Sequence, residues 1–340
     1  MKGILVIAVL IFTHPAFAQD GHEEDSYTLH KNQWIWYSDL GYRTSPFTLK
    51  YDFSPEIKRV KYRHNIKPIL GFGVHYKWFS LRLGIGLPIP IYSFNKFGQH
   101  APFNIGTQFS SKRMFFDLDF RFNSGYVAKN AIRWDSTLSQ LYPNDILPNL
   151  KTSSFSINVW HFKNRNIHMK PILGRVGHYN KDAASLYFKY TFNVFGASNG
   201  NDTANFEIVP SQLINDNVAV TSARGLAVID IGFVPGYAYV KRLNKWQISF
   251  IGGLGGVLQT KIYTTADVPN GRSFLGIAPR LDLKFIGGYN DERYFCHLDT
   301  DFDIKSARFQ NMSYRQYYYS LKIVGGIRLK EKDRKAKRKE

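Results

Sequence analysis

Along much of the chain, apolar and polar residues alternate one for one. In Phe295 to Lys305, Cys296, Leu298, Phe302 and Ile304 share one parity, and His297, Asp299, Asp301, Asp303 and Lys305 share the other. In Tyr317 to Leu329, Tyr317, Tyr319, Leu321, Ile323, Ile327 and Leu329 oppose Tyr318, Ser320, Lys322 and Arg328. In Phe115 to Asn123, Phe116, Leu118, Phe120 and Phe122 oppose Asp117, Asp119 and Arg121. Successive side chains of a β-strand point to opposite faces, so each segment reads as a strand with one apolar and one charged side. The rhythm returns from Phe47 to Phe53, Leu70 to Tyr76, Phe79 to Leu87, Phe155 to Val159 and Leu186 to Val194. It continues with more glycine through 225–241, 246–260 and 273–289.

A soluble sandwich also alternates. Here the alternating segments are long for a sandwich strand and suit a tilted strand that crosses a bilayer. The polar parity carries small residues and charges of both signs, as a crowded lumen would. Short links stand near Lys77-Trp78, Ser111-Lys112, Leu243-Asn244-Lys245, Asn290-Asp291 and Gln310-Asn311, and longer ones at 89–102, 123–152, 196–224 and 261–272. One end with short turns and one with long loops is the layout of an outer-membrane barrel. The pattern predicts an all-β, antiparallel transmembrane β-barrel of about 12 strands, starting near Phe47 and ending near Leu329, with strand and insertion both open for Ile167 to Leu173.

The rest of the chain fits export to that membrane. Lys2, the apolar run Gly3 to Phe12 and Ala16-Phe17-Ala18 before Gln19 form the charge, core and cleavage order of a signal peptide over residues 1–18. Residues 19–45 then read as an N-terminal periplasmic segment, 46–329 as the barrel and 330–340 as a basic flexible tail. Cys296 is the single cysteine, so an intramolecular disulfide is excluded. Beyond the signal no apolar run is long enough for a membrane helix, while a closed barrel can still cross, because its strands satisfy each other's backbone groups. Aromatic residues make up 16% of the chain, with 21 Tyr and 27 Phe, which supports a barrel with a lipid-facing surface. The formal charge is +19, part of it in the tail and the remainder spread along the chain.

The stretch Asn65 to Pro88, with Gly71, Gly73, Gly84 and Gly86 at alternating positions, resembles the first hairpin of an uncharacterised family of Bacteroidetes outer-membrane proteins, domain of unknown function 4421. Ser124-Gly125-Tyr126, Ala183-Ala184-Ser185-Leu186 and Gly236-Tyr237-Ala238-Tyr239 follow in a similar order, and 163–183 is the weakly matched part. The resemblance implies a barrel and offers no activity to carry over.

Candidate chemistry reduces to a charged lumen. Asp299-x-Asp301-x-Asp303 starts like a calcium loop, but the positions that need Gly and a bidentate Glu hold Ile304 and Gln310. Strand alternation instead puts the three carboxylates on one face. They are expected to meet basic residues of the neighbouring strand, including Lys322 or Arg328. Asp117, Asp119, Arg121, His297 and Lys305 complete the expected lumenal cluster. Gly252-Gly253 and Gly255-Gly256 lie in a strand pattern with no helix after them, which favours close backbone approach over a nucleotide loop. No metal-ligand histidine spacing and no marked nucleophile occur, so no cofactor, no metal and no catalytic residue are expected. The expected partners are the lipid bilayer, lipopolysaccharide, the barrel-assembly machinery and, for an open lumen, a small solute. The role is then a small-solute channel or a binding or structural barrel. The alternatives are a barrel lipid hydrolase with Ser and His on neighbouring strands, and a soluble basic β-protein on nucleic acid; export and the lack of a basic–aromatic motif stand against the latter.

Overall fold

The structure is a computed structural model that describes residues 26–111, 114–200, 207–215, 217–267 and 271–329. The signal-peptide segment and the basic tail lie outside the described residues. Among the described residues, sixteen strands, two short α-helices and three 3-10 turns follow each other in order. The strands and α-helices are β1 (Tyr27–Leu29), β2 (Trp34–Thr44), β3 (Phe47–Lys50), β4 (Arg59–Arg63), β5 (Pro68–Tyr76), β6 (Phe79–Gly86), α1 (Phe94–Phe97), β7 (Ala101–Ser110), β8 (Met114–Ala128) and β9 (Asp145–Phe162). After them come α2 (Met169–Ile172), β10 (Gly177–Tyr179), β11 (Ala183–Asn199), β12 (Gly225–Leu243), β13 (Trp246–Thr264), β14 (Arg272–Asn290), β15 (Tyr294–Phe309) and β16 (Met312–Leu329).

All but β1 and β10 belong to one antiparallel sheet that closes on itself. The broken pairs β2/β3 and β4/β5 each act as one staved strand, so among the described residues the ring runs through 12 strands. Closure is made by β16, which pairs with β15 on one side and with β2 and β3 on the other. Such closure leaves no sheet edge unpaired.

The outward and inward parities are inverted relative to a soluble core. Leu321 and Ile323 are 48% and 59% exposed on the outer face, while Lys322 between them is 8% exposed inside. The same holds on β5, β6 and β11, where Phe72, Leu83 and Tyr190 face out and His75, Arg82 and Thr191 face in. An outer surface of large apolar side chains around a polar interior is the membrane-barrel arrangement. At the end where Trp34 pairs with Leu329, aromatic residues gather on the outside: Trp34 stacks on Tyr76 with ring centres 4.4 Å apart, and Trp246 meets Tyr289.

Two expectations change, and one open alternative is settled. The barrel begins at Trp34, inside the segment 19–45 expected to precede it, because Trp34, Trp36, Leu40 and Tyr42 form an outward apolar row opposed by Tyr37 and Asp39. Phe47 and Leu49, whose alternation resembled a lipid-facing row, point inward and are fully buried. Residues 163–182 are an insertion at the short-turn end, not the start of a strand. The layout of short and long connections also has one exception, since Gln310-Asn311 joins β15 to β16 at the long-loop end.

Toward that long-loop end the strands extend past the apolar belt and exchange faces. On β15 the outward residues pass from Phe302 and Ile304 to Ser306 and Arg308, while the inward ones pass from Asp303 and Lys305 to Ala307 and Phe309. We call this region the crown. Its interior is an apolar core in which Phe47, Leu49, Tyr62, Phe195 and Tyr314 pack against Ile208, Val209, Leu213 and Val220 of the long β11–β12 loop. On β8 a bulge between Ser124 and Tyr126 shifts the inward parity from Asn123 to Tyr126. Gly125 makes the bulge feasible: its φ is +81° and a side chain there would strike the Gln99 carbonyl.

Candidate functional site

The interior is filled in three layers. The apolar crown closes one end. At the other, residues 163–182 fold back into the mouth of the barrel as a plug. Its strand β10 pairs with β1, and Ile167, Met169, Ile172 and Leu173 pack on inward residues such as Trp160, Tyr187, Ile251 and Ile286. Gly236 gives the Tyr187 ring its space, since a Cβ at 236 would lie within 2.2 Å of that ring.

Three wall side chains hold the plug by its carbonyl groups. Gln247 Nε2 donates to Pro171 O at 2.8 Å and its Oε1 accepts from Tyr179 N at 2.9 Å. Asn290 Nδ2 donates to Gly177 O at 3.1 Å. Arg328 donates through Nη2 to Gly174 O at 2.7 Å and through Nε to Arg175 O at 2.9 Å, and also to Asn290 and to Asp291 O. The plug thus satisfies backbone groups that a buried loop would otherwise leave unpaired. From the other direction, Lys170 Nζ approaches the carbonyls of Lys77 and Trp78 in the first turn. Burial, aided by the Lys31 charge, pushes this amine down to about 8.

Between plug and crown lies the charged layer. Asp299 stands opposite Lys322 on the next strand, 3.2 Å from its Nζ, and 3.5 Å from Arg175, which reaches up from the plug. Asp301 meets Lys284 at 3.1 Å, and Asp303 meets Arg280 at 3.8 Å. Arg280 also pairs with Asp230, which accepts from Asn193. Asp39 takes a two-pronged bond from Arg82, both contacts 2.6 Å, and Asp282 meets Lys189 at 2.6 Å. Asp119 pairs with Arg121, whose guanidinium lies 3.5 Å from the centre of the Tyr318 ring; Asp117 accepts from Gln108. Lys305 donates to Ser154 and Ser156 across the lumen. Among the described residues, a cavity of about 60 Å³ lies between Arg43, Arg82, Asp119, Lys284 and Lys322, and one of about 10 Å³ beside Lys305.

All ten residues expected in a lumenal charged cluster face the interior, but they do not form one cluster. Asp299 and Lys322 meet as expected. Arg328 serves the plug, and His297 stacks beside Phe295 at that same level. The partners missed were Asp39, Arg82, Lys189, Asp230, Arg280, Asp282 and Lys284. Arg82, Lys189 and Asp230 are isolated among apolar and glycine residues, and Arg280, Asp282 and Lys284 share one parity of β14, so the parity of their outward neighbours turns them inward. Arg175 carries no such signal, because the insertion has no strand rhythm.

A closed antiparallel barrel with an apolar outer belt and a filled polar interior is therefore the class of protein defined here. The chain belongs to the family described as Domain of unknown function (DUF4421), which matches residues 30–324 and so includes the plug. No curated protein matches it. Among solved structures it is similar to the outer membrane protease OmpT from Escherichia coli, at 8% identity and a TM-score of 0.40, covering 91% of this chain and 100% of that one. It is also similar to the β domain of the Bordetella autotransporter BrkA, at 9% identity and a TM-score of 0.39, covering 88% and 100%. A further similarity is to the translocator domain of autotransporter NalP from Neisseria meningitidis, at 8% identity and a TM-score of 0.38, covering 86% and 88%.

Proposed function

We propose that the protein is a non-conducting, non-catalytic barrel of the outer membrane that serves as a structural or binding platform, with its plug toward the periplasm and its crown toward the exterior. The observation that carries this reading is the filling of the lumen at three levels: carbonyl-anchored plug, ion-paired middle and apolar crown. A solute path would have to break buried ion pairs, and each such break costs about 3–5 kcal/mol. The outward apolar belt supports membrane residence, because a surface of this size in water would aggregate or bind. Short turns and plug at one end and long connections at the other support the orientation.

The test is conductance of the purified full chain in a planar bilayer. The expected result is no stable channel for the native chain, and none when residues 166–180 are replaced by a short Gly-Ser turn, because the ion-paired middle and the apolar crown still close the lumen. Stable openings of the native chain would return the small-solute channel reading.

A further inference from the structure

We propose that the outer face of the crown carries a binding site for the phosphate groups of outer-leaflet glycolipid, built on Arg59, Lys61 and Arg63 of β4 with Lys50, Lys129 and Arg315 beside them. The site rests on the orientation proposed above.

These cations share one face by strand geometry. Val60 and Tyr62 are buried in the crown core, so Arg59, Lys61 and Arg63 point outward. In the register, Lys50 is opposite Arg59, Thr48 is opposite Lys61, and Arg315 is opposite Thr48 on the far side. Cross-strand and diagonal neighbours of this kind lie within ~5–8 Å. Lys129 joins through its backbone, donating to Lys61 O at 2.8 Å.

None of the six makes an ion pair among the described residues, whereas Lys58 nearby is taken by Asp52 at 3.3 Å. The result is mutual repulsion: Arg59 first, then burial, Arg63 and Lys129 hold the Lys61 amine below its ordinary range. A chain that tolerates this gains from an anion that relieves it. Guanidinium groups also match phosphate oxygens in two-pronged geometry.

Position selects the source of the anion. Directly below Arg315 on the same outward row stand Tyr317, Tyr319 and then Leu321, the start of the apolar belt. The cations therefore sit at headgroup height above the hydrocarbon, where a phosphorylated sugar headgroup would stand with its acyl chains along Leu321 and Ile323. A free phosphate would gain nothing from that belt, while an anchored lipid fills both parts of the surface.

The test is native mass spectrometry of the detergent-solubilised full chain with diphosphorylated lipid A, with the same lipid stripped of its phosphates, and with inorganic pyrophosphate. Retention of the diphosphorylated lipid should exceed that of the stripped form by roughly tenfold or more, and the triple variant Arg59→Gln, Lys61→Gln, Arg63→Gln should lose that difference. The triple variant Lys163→Gln, Arg165→Gln, Arg293→Gln at the plug end should keep it. Heat-modifiable gel mobility reports whether each variant is folded, and Lys61→Gln alone, with a smaller expected loss, stands in if the triple variant does not fold. Equal retention of both lipids, an undiminished difference in the folded β4 variant, or pyrophosphate that displaces the lipid completely would each overturn the site. If the protein fractionates with outer membranes and still shows one of these results, the site alone fails. If it is absent from outer membranes, the reading beneath the site fails with it.

Discussion

Asp299 on β15 and Lys322 on β16 are direct cross-strand partners inside the barrel, 3.2 Å apart, with Leu298, Leu321 and Ile323 beside them on the opposite, outward face. The pair is fully enclosed, and Arg175 of the plug is its third member at 3.5 Å. Asp299→Asn or Lys322→Met alone removes one partner of a buried pair, at an expected cost of about 3–5 kcal/mol. The double variant should cost less than the sum of the two by ~0.5–3 kcal/mol, since Lys322 and Asp299 no longer orphan each other and only Arg175 loses its carboxylate. Urea unfolding in lipid vesicles measures the cycle; strict additivity would mean the two charges do not interact.

The face exchange between belt and crown gives opposite mutational rules on one barrel. Leu321→Arg or Ile323→Arg places a cation on the apolar belt and should cost ~2–4 kcal/mol and impair assembly. In the crown, Thr48→Glu on the outer face, opposite Lys61 and Arg315, should be tolerated, while Phe47→Arg should be severe, because Phe47 is buried against Tyr62 and Tyr126. Heat-modifiable mobility of the four variants reads the outcome. Equal damage from Thr48→Glu and Leu321→Arg would erase the distinction between belt and crown.

This exchange also shows what alternation could reveal. Period two located the strands and, within the belt, correctly set Leu298, Leu321, Phe72 and Tyr190 against Asp299, Lys322, Gly71 and Thr191. It cannot state which parity faces lipid where both environments are apolar on one side, so the pattern alone turns Phe47 and Leu49 outward. Trp34 to Thr44 has a weaker rhythm because Ser38 and Gly41 interrupt its outward and inward rows. The plug was illegible for a different reason: its order comes from long-range bonds such as Arg328 to Gly174 and Gln247 to Pro171, which leave no local rhythm.

Plug docking should weaken in acid. His168 is held down to about 3, chiefly by burial and then by Lys170 and Lys31, and His178 to about 4, by burial and then Arg242 and Arg328. An undocked plug would take up protons near the ordinary value of 6.5, where the docked one refuses them. The docked state is therefore fully favoured above that value and loses stability as pH falls from it toward about 4. His168 adds a local reason, because its Nδ1 accepts from Lys170 N at 3.1 Å. Lys170 acts in another window: its buried charge opposes docking below about 8, and this cost fades as pH rises toward 10.5. Hydrogen exchange of residues 167–179 should show easier opening at pH ~4.5 than at ~7.5, and less pH dependence in the double variant His168→Gln, His178→Gln. The same opening free energy at both pH values would remove the histidines from plug docking.

Closure of the ring should depend on a segment that precedes Phe47. Trp34–Thr44 is the partner of β16 from Leu329 to Tyr319 and of β5 from His75 to Pro68. Without it, two long strand edges lose their partners at the level of the apolar belt, where water cannot replace the missing hydrogen bonds. An exported chain whose mature part begins at Ser45 should therefore fail to give a heat-modifiable barrel. A chain cut after Leu329 should still give one, because the register of β16 with both neighbours is complete at that residue. The eleven residues 330–340 alternate Lys, Arg, Glu and Asp with a single Ala and offer no apolar row to add to the wall. If the chain beginning at Ser45 closes normally, the ring must have an alternative partner for β16, and Phe47–Lys50 would be the first strand after all. If loss of 330–340 alone prevents closure, those residues carry an assembly signal that the wall itself does not.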